Sequence, residues 1–246
     1  MAMSKPSLVN KKLSEQYPHD YIDDRIKTAM TLVEKNSTAK YLDIGCSNGV
    51  VALEIAKVIG TSDVYGIDIA NIEDAKKRGV KGIEFDLNED NQLPFQDKIF
   101  DVITCFDTLE HIYNTDHIVR EIKRILKDDG YAIIIVPRTD SLINVLLLGL
   151  GYQMMTADCS LERNYGNFSA NRLSGHMSHF TKRAIKEMLQ FNGFKIEKYK
   201  EASTLGAWLG DQKALGNKVS LIKKIIFTLY QKFPFKKEAC VLKVKK

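Results

Sequence analysis

Three groupings in this chain have residue types and spacings that could do chemistry. Asp107-Thr108-Leu109-Glu110-His111 sets two carboxylates and an imidazole at i, i+3 and i+4. On a helical turn those positions share one face, and Asp107, Glu110 and His111 together can hold a divalent cation such as Mg2+ or Mn2+. Gly175-His176-Met177-Ser178-His179-Phe180-Thr181 brings two more imidazoles. Imidazole titrates near neutral pH, so His111, His176 and His179 are the candidate proton carriers; for His176 and His179 the other reading is a hydrogen bond within the loop. The third grouping is Asp43, Asp68 and Asp86, each at the end of an apolar run.

The elements that must position these groups follow from apolar spacing. Tyr41, Leu42 and Ile44 read as a strand, and Val50, Val51, Leu53, Ile55, Ala56 and Ile59 follow helical spacing. Between them lies Gly45-Cys46-Ser47-Asn48-Gly49. The glycines allow a sharp turn and close approach of a ligand to backbone, and the helix start presents unpaired N–H groups. The dinucleotide fingerprint G-x-G-x-x-G is absent, because Ser47 stands two after Gly45, and no P-loop G-K-[ST] follows. Asp43 repels phosphate and welcomes a cation. S-adenosylmethionine (SAM) carries an ammonium, a sulfonium and no phosphate, so its charges fit.

D-x-G-C-S-x-G resembles the first motif of class I SAM-dependent methyltransferases, and the later elements keep that family's order. Val64 to Ile67 is a second strand ending at Asp68 and Ile69. Asp68 lies about 20 residues past the glycine turn, where Rossmann-like folds place a carboxylate on ribose hydroxyls. Gly82 to Phe85 is a third strand. The resemblance implies that Asp86 accepts from the adenine amino group, with the N–H of Leu87 on the ring. Leu93-Pro94-Phe95 is similar to the family's LPF loop. Phe100 to Phe106 is a fourth strand, placing Phe106 and Asp107 at the carboxyl edge of the sheet. Ile118 to Leu126 reads as an amphipathic helix with Gly130 as its C-cap, and Tyr131 to Val136 as a fifth strand. The implied fold is α/β, a Rossmann-like sheet of seven mostly parallel strands with helices on both faces and an antiparallel C-terminal hairpin.

The expected organisation is one methyltransferase domain over 1–246. Its parts are an N-terminal cap (1–36), a SAM-binding half (37–138), a substrate lid (139–180) and a C-terminal helix and hairpin (181–246). In the cap, Tyr21 to Val33 reads as a helix. The resemblance gives its Arg25 the methionine carboxylate of SAM, and the alternative is a solvated helix charge. The lid carries Leu142, Val145, Leu146, Leu147, Leu148, Tyr152, Met154 and Met155, an adaptable apolar wall that suits a hydrophobic substrate or else completes the core. Thr181 reads as the N-cap of a helix carrying Ile185 and Leu189.

The chain has 246 residues, a formal net charge of +5 and 4 cysteines. The cysteines form no C-x-x-C pair, so they read as free thiols of a cytoplasmic protein. Nothing near Lys5 reads as a signal peptide, and no apolar run reaches the ~18 residues needed to span a bilayer. After Gly210, ten lysines face Asp211 and Glu238. Val219 to Phe235 is a basic amphipathic pattern, either a fold helix or, through 219–237, a peripheral membrane contact. Ala239 to Val244 fits a final strand.

These readings converge on methyl transfer from SAM to the oxygen or nitrogen of a small-molecule acceptor, lipid-like or glycan-linked, with a hydroxyl as the first choice. Cys105-Phe106-Asp107-Thr108 stands where methyltransferases of base amines carry an N-P-P-[YF]-like string. Asp107 to His111 also resembles the metal-binding E-x-x-E-H pattern of ubiquinone-pathway O-methyltransferases and of small-RNA 3′-end methyltransferases, with Asp in the first place. A metal-assisted RNA 2′-O-methyltransferase is therefore an alternative, although no RNA-binding module or aromatic-basic interleaving is visible. The other alternative is a non-catalytic SAM-binding subunit.

Overall fold

The computed structural model describes residues 5–16, 21–89, 92–155, 157–167, 173–203 and 237–246. Five strands are parallel: β1 (Lys40–Ile44), β2 (Asp63–Asp68), β3 (Lys81–Glu84), β4 (Phe100–Phe106) and β5 (Leu126–Pro137). Antiparallel β6 (Lys195–Ala202) and β7 (Ala239–Lys245) complete a seven-stranded sheet in the order β3-β2-β1-β4-β5-β7-β6. The inner strands are buried on both faces, as a parallel sheet covered by helices requires. Alternate residues therefore feed two cores. Leu42, Ile44, Ile103 and Ile134 lie in one, and Tyr41, Val102, Ile133 and Ile135 in the other.

Helices cover both faces. α3 (Val50–Ile59) buries Val51, Ala52, Ile55, Ala56 and Ile59. α4 (Ile72–Lys77) is short, and α5 (Thr115–Ile125) turns Ile118, Val119, Ile122 and Ile125 inward. α6 (Leu142–Gly149) lies within the expected lid. α7 (Lys182–Phe191) begins at Thr181, whose hydroxyl accepts from the Ala184 N–H as the sequence predicts. At the N-terminus are α1 (Lys5–Gln16) and α2 (Asp24–Met30). The cap helix read over Tyr21 to Val33 is thus shorter, and α1 is an element the sequence reading did not find.

The expected C-cap at Gly130 is corrected. α5 ends at Ile125, Leu126 caps it in an extended conformation, and the chain passes directly into β5. Gly130 serves the sheet instead. The β4–β5 register shifts between Phe100 and Val102, and a Cβ on Gly130 would lie 2.8 Å from the Asp101 carbonyl oxygen. The glycine permits close backbone approach at an irregularity. Cys46, Cys105 and Cys240 are buried free thiols, while Cys159 is exposed. Among the described residues no helix is long and apolar enough to cross a membrane. The basic pattern at Val219 to Phe235 lies outside the described residues.

Candidate functional site

The site is built at the carboxyl ends of β1 and β4, where the strand order reverses. Open α/β sheets form their ligand crevice at such a point. Parallel register sets Asp43 of β1 beside Thr104 of β4. The Thr104 hydroxyl donates to the Asp43 carboxylate at 2.5 Å, and the Tyr41 hydroxyl lies 2.7 Å from Thr104 Oγ1. Burial pushes the Asp43 carboxyl up to about 7, the Thr104 bond opposes this, and nearby Asp68 adds to it. Among the described residues no lysine or arginine pairs with Asp43. A buried carboxyl without a cation is the environment that a cationic ligand would complete.

The turn after β1 is left-handed at Gly45, Ser47 and Gly49. Gly45 is required sterically, since a Cβ there would sit 2.0 Å from Thr108 Oγ1. The Asp68 carboxylate closes the turn by accepting from the Ser47 N–H at 2.8 Å and the Ala70 N–H at 2.9 Å. Cys46 is buried against Gly66, where a Cβ would approach its sulfur to 2.6 Å. Ile69 is half-buried, and Phe106 and Leu87 are buried. One oxygen of Asp86 accepts from the Asn88 N–H at 2.9 Å. Asn88 in turn donates to the His111 carbonyl at 3.0 Å. The predicted adenine and acceptor sides are therefore joined by one loop.

α1 closes over this edge. Asn71 donates to the Ser14 carbonyl at 2.9 Å and to Ser47 Oγ at 3.2 Å. Lys11 pairs with Glu84 at 2.7 Å, and Asn10 donates to the His111 carbonyl at 3.4 Å. Gly175 lies beneath α1, where a Cβ would meet Asn10 Oδ1 at 2.3 Å. α1 is hard to read from residue types, because only Leu8, Val9 and Leu13 are large apolar residues within it.

Arg25 is largely shielded, its side chain 12% exposed, rather than a solvated helix charge. Asp23 caps α2 and also binds the Arg25 guanidinium at 2.6 Å, while Asp107 holds its other arm at 2.6 Å. Burial opposes the charge, and Asp107 and Asp23 outweigh it. Asp107 sits at a left-handed residue just past β4, with its second oxygen buried and unpartnered.

Asp107 therefore turns towards Arg25, and the cluster of candidate metal ligands that comes together differs from the expected trio. It comprises Glu110, His111 and His176, with one ligand atom from each within 4.8 Å of the others. Glu110 and His111 lie in a single 3-10 turn, Leu109–His111. Its backbone is tied to the His176 loop by the N–H groups of Met177 and Ser178, which donate to the Glu110 carbonyl at 2.7 and 2.9 Å. The His111 and His176 rings meet edge to face at 4.9 Å. His111 Nδ1 lies 3.0 Å from the Gly175 carbonyl. A carbonyl only accepts, so Nδ1 carries the proton and Nε2 keeps its lone pair. Burial lowers the His111 pKa. Glu110 is 1% exposed, and neither carboxyl oxygen has a hydrogen-bond partner. His176 Nε2 lies 4.0 Å from one of its carboxyl oxygens. Burial, then Asp107, raises the Glu110 pKa well above the ordinary value. His179 is exposed and lies outside this group.

Residues 13–199 match the family described as "Methyltransferase domain". A demethylmenaquinone methyltransferase of Lactobacillus johnsonii is 30% identical over 63% of this chain and 67% of its own length. A ubiquinone biosynthesis O-methyltransferase of Actinobacillus pleuropneumoniae is 34% identical over 37% of this chain and 42% of its own. The chain spans roughly two fifths to two thirds of the length of the first curated relatives it matches. A chain of the structure titled "Complex between the Haloferax volcanii Trm112 methyltransferase activator and the putative methyltransferase" superposes with a TM-score of 0.66 at 13% identity, covering 100% of this chain and 99% of that one. That likeness is one of fold.

Proposed function

The chain belongs to the class I SAM-dependent methyltransferase family, and from that premise we propose that it methylates an oxygen of a small, apolar, hydroxylated acceptor, lipid-like or glycan-linked. The observation that carries this reading is Glu110. A buried carboxyl with both oxygens unpartnered is costly unless a ligand completes it, and here two imidazoles stand beside it at the mouth of β4.

SAM, when bound, supplies a methyl group already activated on a sulfonium. The chain's part is to bind, orient and move a proton. In this reading Asp43 faces the cationic end of SAM. Asp68 accepts from the ribose hydroxyls, Asp86 from the adenine amino group, and Arg25 offers charge to the methionine carboxylate. As neutral imidazoles, His111 through Nε2 or His176 would take up the proton that the acceptor hydroxyl gives up when it is methylated. His179, outside the cluster, stands at the loop surface where an incoming acceptor would pass. The donor set also fits a divalent cation, since two imidazoles and an unpartnered carboxyl converge. Glu110, His111 and His176 would hold Mg2+ or Mn2+, which would supply charge to acidify the acceptor hydroxyl.

The RNA reading rests on the Asp107 to His111 metal pattern together with the C-terminal lysines. Of these lysines, Lys243 is buried against Glu34 and Glu197, Lys245 pairs with Glu197, and Lys246 with Asp128, while those from Lys213 to Lys236 lie outside the described residues. The small acceptor is preferred because the sequence carries no RNA-binding module or aromatic-basic interleaving.

The test is transfer of label from methyl-labelled SAM to phenols, catechols, amines and RNA, before and after chelation. Label in hydroxyl acceptors is expected. Loss on chelation and recovery with Mn2+ would support the cation. Label in amines or RNA alone would overturn the O-methylation reading, and label in none would favour a non-catalytic subunit.

A further inference from the structure

The segment after α6 sends one carboxylate to the histidine loop. Asp158 Oδ2 accepts from the Ser174 N–H at 2.8 Å and from the Gly175 N–H at 2.5 Å. Bonds from backbone N–H groups to a carboxylate are charge-assisted and roughly twice as strong as neutral ones. Among the described residues the other oxygen, Asp158 Oδ1, is buried and has no partner. The hydrogen bonds of this side chain therefore go to the loop. The carbonyl end of Gly175 faces the site, 3.0 Å from His111 Nδ1, and His176 is the next residue. Gly175 is left-handed, with φ 75°, a conformation that favours glycine.

We propose that Asp158 is the positioning residue of the reacting centre: by gripping the Ser174 and Gly175 N–H groups it fixes the Gly175 carbonyl that holds the His111 proton on Nδ1, and it sets the start of the segment that carries His176. Which nitrogen of an imidazole keeps its proton is decided by the hydrogen bond that the ring makes through the other. Here that bond is made to a loop carbonyl, and a carbonyl on a loop is only as fixed as the loop. On the far side of His176 the loop is fastened by the Met177 and Ser178 N–H groups on the Glu110 carbonyl, and by the Ser178 hydroxyl, which donates to the Ile112 carbonyl at 2.6 Å. On the near side Asp158 supplies the fastening. Asp158 is in turn tied to the sheet. Asn144, 1% exposed, donates to the Arg138 carbonyl just past β5 at 3.1 Å and accepts from the Met155 N–H at 3.0 Å. Ala157, beside Asp158, is buried, and its N–H donates to the Met154 carbonyl at 3.2 Å. A chain of contacts thus runs from the end of β5 through α6 to His111. The inference deepens the reading of this centre given above and rests on it.

The experiment is 15N NMR of the full chain labelled at histidine, at a pH where imidazole is neutral, for wild type, Asp158→Ala and Asp158→Asn. The His111 signals are assigned by their loss in His111→Gln. Wild type is expected to show Nδ1 protonated and Nε2 bare. In Asp158→Ala the two nitrogen signals should draw together, and kcat for label transfer to a hydroxyl acceptor should fall by about tenfold or more, with SAM affinity unchanged as the folding control. Asp158→Asn keeps an oxygen for the two N–H groups and should restore the wild-type ring signals. Asp158→Ser, whose shorter side chain cannot reach both N–H groups, replaces the alanine variant should that one misfold. His111 signals identical to wild type in the folded alanine or serine variant would overturn the proposal, because a tie that serves stability alone would leave the ring unmoved. Altered ring signals with transfer unchanged would support the positioning of the ring and count against His111 as the proton carrier.

Discussion

At the scale of single residues the site contains carboxyls that the fold alone leaves uncompensated, and this makes cofactor binding depend on pH. Asp43 titrates near 7 because it is buried, against the Thr104 hydroxyl and with Asp68 nearby. Its folded pKa exceeds the unfolded value, so the empty chain gains stability below about pH 4 that is lost as pH rises through 7. A cationic ligand reverses the preference by favouring the carboxylate. SAM affinity should therefore rise between pH 6 and 8, by at most about tenfold per unit, with proton release on binding below pH 7. Calorimetry in buffers of different ionisation enthalpy measures both, and Asp43→Asn should flatten the profile. Gly45→Ala should lower SAM affinity more than about tenfold, since its Cβ would meet Thr108 Oγ1 at 2.0 Å on a left-handed backbone. Asp68→Ala removes the acceptor of two turn N–H groups, so undiminished SAM affinity in that variant would refute the ribose role.

At the scale of elements, α1 and the α5–β5 junction carry what composition conceals. α1 is joined to the SAM turn through Ser14 and Asn71, and to the acceptor side through Asn10. Removing residues 1–16 should weaken SAM binding by about tenfold, equivalent to roughly 1.4 kcal/mol, while the sheet keeps its unfolding transition. Fluorescence titration and thermal melts separate the two effects. Gly130→Ala acts the other way. It should destabilise the sheet by about 1–3 kcal/mol through contact with Asp101, read by urea denaturation, with SAM affinity unchanged in the folded fraction. The strands were legible because five apolar runs kept one order. The junction was misread because a glycine after a lysine and two aspartates looks the same as a helix cap and as a close strand contact. Its partner, the Asp101 carbonyl, is distant in sequence.

At the scale of the whole molecule, the SAM-binding half could be read from residues in sequence order, since each motif sits at the end of its own strand. The acceptor side could not. Glu110 meets His176 across 66 positions, and Asp107 turns to Arg25 across 82. Both pairings depend on loops whose register no local pattern sets. The pairing of Arg25 likewise needs two acids from separate elements, Asp23 and Asp107. The most direct measurement compares Glu110→Gln with wild type for SAM affinity and for single-turnover methyl transfer to a hydroxyl acceptor. Unchanged SAM affinity with transfer slowed by about a hundredfold or more is expected of a group that serves the acceptor's proton or its cation. Transfer at the wild-type rate would contradict the assignment of Glu110, His111 and His176 as the reacting centre.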